Sequence, residues 1–469
     1  VIYRFNSPHC PAQSGTAVVV LLAILSMIII GVLLSVASSS SLDIARQKQT
    51  AQALAQAKEA LMAYAVAVSS DSLATRPGDL PCPDLNNDGH AELTCSSASK
   101  RIGRLPFKTL GLPDLRDADG ERLWYALSTN FQRSTFNQCP TPGGTKCLNS
   151  ETGGTITVRD ATGLIIHDGT TLASDPNVAP TGAIAVVLSP GAVIKRFGEV
   201  APQDRSCSGD ANPTACELSG VCSSAATARC NPSNYLDIAD TGLVPALGAS
   251  EDNKDFADAN KANGFIAGPI RNAQGDLVVN DTLIAVRYAD LMPKLEQRIA
   301  REALACLRNY ALANAGRYPW PAPVAADYTV FPLKDAAGTA LGRLAQDLSA
   351  TAAGGLGNTW PEHCPIGMQE NQYKWWANWV NLVFVAVAPG YAADKTAPGC
   401  GTCLTLLPAA PGNAHVVVLV AGRPILLEVR GIGSPESSYL EDENRTGSST
   451  LVFKQAAGSD TFNDTVVYQ

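Results

Sequence analysis

The sequence predicts an α+β protein: a long N-terminal transmembrane helix followed by two related domains, each built as a helix plus an antiparallel sheet. Three observations carry this expectation. Residues 17–37 form an uncharged, mostly apolar run. An apolar stripe at helical spacing continues directly after it. A set of short motifs in the first 290 residues then returns, in the same order, in the rest of the 469-residue chain.

The N-terminal run is long enough to cross a bilayer, and nothing between Arg4 and Asp43 carries a full charge. Beyond it, Gln47, Ala51, Leu54, Ala57, Leu61, Tyr64 and Val68 alternate at spacings of three and four, which is one face of a helix. No Pro or Gly interrupts residues 38–69. One rod over residues 16–69 would be about 80 Å long at 1.5 Å per residue, with half in lipid and half beneath a globular part.

This arrangement resembles the N-terminus of type IV pilins and type II secretion pseudopilins, whose short polar leader ends in Gly and whose mature chain begins with a long hydrophobic helix. The resemblance implies a leader over residues 1–15, cleavage by prepilin peptidase between Gly15 and Thr16, and methylation of Thr16 as the mature N-terminus. Two positions depart from the family pattern. Ser14 stands where Lys or Arg is usual, and Val20, the fifth mature residue, replaces the usual Glu. Lack of that Glu is typical of the large minor pseudopilin at the tip. A secretory signal peptide fits less well, since its apolar region is about 7 to 15 residues and only Arg4 is basic here. A plain membrane anchor is the simpler alternative.

A chain of this length exceeds one hydrophobic core, so the expected layout is a leader over 1–15, a rod over 16–69, a first domain over 70–290 with a Cys-rich insert, and a second over 291–469. The 39 Gly and 30 Pro suit a loop-rich α+β protein. The net charge of −8, or −9 once Arg4 leaves with the leader, gives no reason to expect a nucleic-acid partner. One of the 13 cysteines lies in the leader, and an even number on the outer side of a membrane reads as disulfides. Local spacing suggests Cys82 with Cys95, Cys139 with Cys147 and Cys400 with Cys403. Cys306 and Cys364 then remain for each other, while Cys207, Cys216, Cys222 and Cys230 allow three pairings. The Cys400/Cys403 pair could also be a redox dithiol or half of a zinc site. No second CxxC and no thioredoxin-like pattern accompany it, which favours a loop staple.

The internal repeat begins with Ala57-Lys58-Glu59-Ala60-Leu61, answered by Ala300-Arg301-Glu302-Ala303-Leu304. The second lies in an expected helix over 291–315 whose stripe is Leu295, Ile299, Ala303, Cys306 and Tyr310. Each helix then meets a Gly followed by two prolines, Gly78, Pro81 and Pro83 against Gly316, Pro319 and Pro321, which stop helices and force extended backbone. Strand-like residues 124–128 correspond to 384–388, and 185–191 to 417–422. Residues 234–237 correspond to 438–441, and 280–282 to 463–465. Strands are expected near 155–159, 183–189, 277–287, 382–388, 415–420 and 424–429. Residues 117–125 read as a hairpin turn in which Gly120 takes the φ > 0 position. Asp, Gly and Tyr so placed also resemble a pseudopilin turn.

Catalytic signatures are absent: there is no GxSxG elbow, HExxH helix or phosphate loop, and the five His are scattered. A structural, non-enzymatic protein is expected. Asp84, Asn86 and Asp88 at alternate positions, followed by Gly89, repeat the first half of a calcium-loop pattern, with the His90 carbonyl and Glu92 completing a ligand set. The twelfth position is Cys95, not Glu, so the loop is no EF-hand. It resembles the nine-residue calcium loops of extracellular and pilus-associated proteins; a solvated Asn-Asp-Gly turn is the other reading. Asp114, Asp117, Asp119 and Glu121, interrupted by Arg116 and Arg122, read as a polar turn more than as a metal site. Trp375, Trp376 and Trp379 fit one helical face and read as core, or else as a partner surface.

Together these features imply a single-pass protein of the bacterial inner membrane with its bulk periplasmic or extracellular. Its partners would be prepilin peptidase and other pilins or pseudopilins, reached through the N-terminal helix. Its place would be a minor subunit at the tip or in initiation of a pilus or secretion pseudopilus. An anchored periplasmic binding or adhesion module that never enters a filament is the rival.

Overall fold

The computed structural model describes residues 16–68, 75–132, 139, 147–171, 180–194, 202–236, 253–254, 264–271, 275, 277–362, 364–366, 374–408, 414–425 and 428–469, without the side chains of 16–40, 374 and 375. The expected leader and the side chains of the apolar run therefore lie outside the described residues. Among the described residues, no helix is long and apolar enough to cross a membrane. The chain divides into two compact units, residues 1–52 and 53–469. Helix α1 is Thr16–Ala67.

In the larger unit α1 buries Leu54, Ala57 and Leu61 as the stripe requires, together with Ala53, Met62 and Ala65, and Val68 just past its end is buried too. Gln47 and Ala51, the first two members of the expected stripe, are exposed. The chain then forms β1 (Ile102–Arg104), β2 (Trp124–Leu127), β3 (Val158–Arg159), β4 (Ile165–His167) and β5 (Ala183–Ser189). Helix α2 (Pro213–Ser219) lies in the Cys-rich insert, and β6 (Phe265–Ile266), β7 (Ile270–Arg271), β8 (Leu277–Val279) and β9 (Thr282–Arg287) follow. Helix α3 (Tyr288–Ala313) opens the second half, which continues through β10 (Leu341–Arg343), β11 (Val383–Val387), β12 (Thr405–Leu407), β13 (Val416–Val420), β14 (Val452–Lys454) and β15 (Thr465–Tyr468).

Two four-stranded sheets dominate, ordered β1-β2-β5-β9 and β10-β11-β13-β15, and every neighbouring pair in both is antiparallel. Their registers agree residue by residue. Arg104 faces Trp124, which faces Leu188, which faces Leu283; Arg343 faces Phe384, which faces Leu419, which faces Val466. Small sheets flank them: β3 between β4 and β6, β7 with β8, and β12 with β14.

Each large sheet is buried on both faces, which is why its central strands read as unbroken apolar runs rather than as alternating ones. One face, with Tyr125, Ile184 and Val187 in the first sheet and Val385, Val416 and Val418 in the second, joins α1 and α3 in a single core. The opposite faces build two smaller cores, around Trp124, Val186, Leu188 and Tyr235 and around Phe384, Val417, Leu419 and Tyr439. The two halves thus share one interior across the expected boundary at residue 290.

A Gly with positive φ bonds back to the last turn of each helix. The Gly78 N–H (φ 101°) bonds to the Ala65 carbonyl at 3.0 Å, and the Gly316 N–H (φ 84°) to the Ala311 carbonyl at 2.8 Å. The start of α3 is fixed by Asp290, which accepts the Arg287 N–H at 2.9 Å. Asp290 also pairs with Lys58 of α1 at 2.7 Å, and the Arg298 guanidinium caps the Val66 and Val68 carbonyls at 2.6 and 3.0 Å. These contacts advance together along both helices, so α1 and α3 run side by side in the same direction. Burial raises the Asp290 pKa, but the bonds from Arg287 and Lys58 outweigh it and hold the carboxyl well below its usual range.

Some strand expectations change. Residues 155–159 keep only β3, and 277–287 breaks into β8 and β9 at Asn280 and Asp281, whose polar side chains bond elsewhere. The described part of 424–429 takes no strand.

Candidate functional site

Gly103 and Gly342 sit at the centres of β1 and β10, where the extended segments after Pro83 and Pro321 cross close by. A Cβ on Gly103 would lie 2.7 Å from the Asp84 carbonyl oxygen, and one on Gly342 would overlap the Ala322 carbonyl. Isolated bridges Asp84 to Arg104 and Ala322 to Arg343 hold these crossings. The residue after each Gly is an arginine driven inward.

Arg343 is fully buried, with its guanidinium carbon 4.9, 5.2 and 4.8 Å from the ring centres of Tyr328, Phe384 and Tyr439. Its Nε donates to the Asn381 carbonyl at 3.4 Å, while Nη1 and Nη2 find no hydrogen-bond partner among the described residues, so ring faces stand in for acceptors. Arg104 is 3% exposed and lies 4.3 Å from the Trp124 ring and 3.9 Å from the Tyr235 ring. It donates through Nη1 to the Arg122 carbonyl at 2.9 Å and through Nη2 to the Arg229 carbonyl at 3.1 Å; Nε has no partner among the described residues. Desolvation lowers the pKa of both guanidiniums, opposed for Arg104 by Tyr235 and Glu121 and for Arg343 by Tyr439 and Tyr328.

Arg104 opens onto a cavity of about 340 Å³, where Arg343 is closed over by the third ring, Tyr328. Four more arginines line that cavity, Arg116, Arg122, Arg205 and Arg229, with Glu121, Glu217 and Tyr235 among them. Arg116 and Arg122 flank the turn at residues 117–121 and both reach Asp114, at 2.7 and 2.8 Å. Burial raises the Asp114 pKa, yet these two arginines bring it below the usual carboxylate value. Arg205 pairs with Glu121 at 3.2 Å and stacks 4.5 Å from Tyr235, and Arg229 pairs with Glu217 at 2.7 Å. Five guanidiniums thus meet three carboxylates, a cationic excess within a chain of net charge −8.

The Cys-rich insert supplies one wall. Disulfides Cys207–Cys216 and Cys222–Cys230 bracket α2, choosing one of the three open pairings. The insert is tied to the loop at residues 84–92: the Cys222 N–H bonds to the Asn86 carbonyl and Asn87 Nδ2 to the Gly220 carbonyl, both at 2.8 Å. The other bridges are Cys82–Cys95, Cys139–Cys147, Cys306–Cys364 and Cys400–Cys403.

In the expected calcium loop Asp84 is buried, and its two oxygens take backbone N–H groups, Oδ2 from Gly89 at 2.7 Å and Oδ1 from Asn86 and Asp88 at 3.2 and 3.3 Å. Asn86 Oδ1 accepts from the Asp88 N–H at 3.2 Å and Asp88 Oδ1 from the His90 N–H at 2.7 Å. Burial pushes the Asp84 carboxyl up to about 6 despite the Gly89 bond. The described group whose ligand atoms all lie within 4.8 Å of one another is Cys400, Cys403 and His415, rather than Asp84, Asp88 and Glu92. Since a thiolate is the ligand for a soft metal, the Cys400–Cys403 disulfide leaves none to bind. His415 stacks on Tyr391 at 4.0 Å, and desolvation lowers its pKa.

Gly15 lies outside the described residues, and Thr16 is the first residue of α1. In the second acidic cluster Asp117 is buried and accepts from the Asp119 and Glu121 N–H groups at 2.9 Å, from Ser189 Oγ at 2.8 Å and from the Gly191 N–H at 3.1 Å. It ties the turn to β5. Trp376 and Trp379 are core residues; the Trp375 side chain lies outside the described set.

The arginine cavity is the part that sequence reasoning missed. The available signal was the repeated apolar-Gly-Arg-Leu of residues 102–105 and 341–344. No protein-family model, curated protein or solved structure matches this chain.

Proposed function

We propose that this chain is a minor pilin- or pseudopilin-like subunit that works at the tip or in initiation of a type IV pilus or type II secretion pseudopilus. The observation that carries the reading is α1, the 52-residue helix Thr16–Ala67, apolar in sequence over residues 17–37 and packed against an antiparallel sheet at its end. An apolar rod of this kind can move from lipid into a bundle of like helices, trading lipid contacts for helix packing. The repeat of helix plus sheet makes the head large, and bulk at one end suits a terminal position rather than a repeating one. The absence of Glu at the fifth mature position points the same way.

The arginine cavity favours a second reading, an anchored periplasmic binding module that stays out of filaments. Mass spectrometry of the N-terminus, on protein from cells with and without prepilin peptidase, separates the two. A methylated Thr16 seen only with the peptidase supports the subunit. An N-terminus upstream of Thr16 in both strains overturns it and leaves the anchored module.

A further inference from the structure

We propose that the cavity lined by Arg104, Arg116, Arg205 and Arg229 is a binding site for a tetrahedral oxyanion, the phosphate or sulfate group of an esterified small ligand or sugar. The inference is independent of whether the chain enters a filament.

Structural need does not account for so many guanidiniums in one place. The strand crossing explains why Arg104 is buried, and its counterpart Arg343 fills the same position enclosed by three aromatic rings, with one backbone carbonyl as acceptor. In the first half the same position opens onto a polar cavity of about 340 Å³, at the lower end of the range for small-ligand sites. Three carboxylates leave the arginine cluster with net positive charge, and concave cationic walls concentrate anions.

Donors remain for a ligand. Arg122 is fully engaged, with Asp114 and Asn87 as partners. Arg229 is not: Nη2 is held by Glu217 and Nε by the Arg205 carbonyl, and among the described residues Nη1 has no hydrogen-bond partner. The Arg104 guanidinium backs this wall, stacked 3.9 Å from the Tyr235 ring that also lines the cavity. Guanidinium forks match phosphate and sulfate geometry, and charge-assisted bonds of this kind are about twice as strong as neutral ones. The cavity also has a rigid frame, since two disulfides fix the insert that carries Arg229 and Glu217.

The test is isothermal titration of the purified full chain with sodium phosphate and, separately, sodium sulfate, against sodium chloride at matched ionic strength. The variants are Arg229→Gln and Arg116→Gln, whose side chains are 23% and 47% exposed, and Lys395→Gln as a distant exposed control. Circular dichroism checks that each variant folds. The expected result is saturable binding of one or both anions, weakened about tenfold or more in Arg229→Gln and unchanged in Lys395→Gln. Tighter binding of phosphate or of sulfate then assigns the ester class. Three results overturn the proposal: no saturable heat with either anion, binding that chloride reproduces, or binding that folded Arg229→Gln retains in full, the last two meaning an adventitious ion only.

Discussion

Glu296 gives the sharpest test of the shared core. It lies on α3, is 4% exposed, and accepts a hydrogen bond from Thr465 Oγ1 of β15 at 3.2 Å. Burial pushes its carboxyl from 4.5 up to about 7, helped by the nearby Asp464 and opposed by Thr465 and Arg430. In the folded chain Glu296 therefore keeps its proton up to about pH 7, whereas in the unfolded chain it releases it near 4.5. Between these values the unfolded state binds fewer protons, so stability falls as pH rises through that window and levels off above it. At 1.36 kcal/mol per pH unit, the difference is worth about 3 kcal/mol. Glu296→Gln removes this titration and keeps the side-chain shape. Urea unfolding with disulfides intact, at pH 4.5 and pH 8, should show Glu296→Gln gaining about 3 kcal/mol on the wild type between the two. Buried acids far from Glu296, such as Asp84, contribute the same slope to both proteins and cancel in the difference, whereas Asp464, which acts on Glu296, titrates more easily in the variant and adds to the gain. Parallel pH profiles for the two would refute the burial of an uncompensated carboxyl between helix and sheet.

Two further perturbations test the frame around the site. Gly103→Ala and Gly342→Ala each force a Cβ against backbone carbonyl oxygen in a buried strand crossing, and each should cost about 3 kcal/mol or more, read as a fall in thermal midpoint; a neutral result at both positions would mean that the strands do not cross there. Among the bridges, Cys306–Cys364 spans 58 residues and Cys400–Cys403 spans 3. Loop-closure entropy makes the first worth about 4 kcal/mol and the second about 2, so replacing Cys306 and Cys364 together by Ala should lower the urea midpoint clearly more than replacing Cys400 and Cys403.

Periodicity by itself determined the local elements that touch the core. The stripe of α3 from Leu295 to Tyr310 is buried throughout, and the runs that became β5, β11 and β13 are apolar enough to read as strands without knowing their partners. The order of repeated motifs also foreshadowed the matching strand order of the two sheets, since each motif is a local turn, stop or strand start. Short-range disulfides were legible because close spacing leaves few partners.

Other features depended on contacts distant in sequence. Gln47 and Ala51 continue the α1 stripe on paper, but burial there needs a partner surface that only tertiary packing supplies. That α1 and α3 lie in one core shared by both sheets rests on Lys58 meeting Asp290 and Arg298 meeting Val66, groups more than 200 residues apart in the chain. The arginine cavity is the same case: Arg104 of β1, Arg116 and Arg122 on either side of the turn at 117–121, and Arg205 and Arg229 in and beside the Cys-rich insert look like ordinary surface charge in sequence. A charge pattern shows its neighbours along the chain, whereas a binding site depends on neighbours across space, and here strand pairing and two disulfides bring those neighbours together.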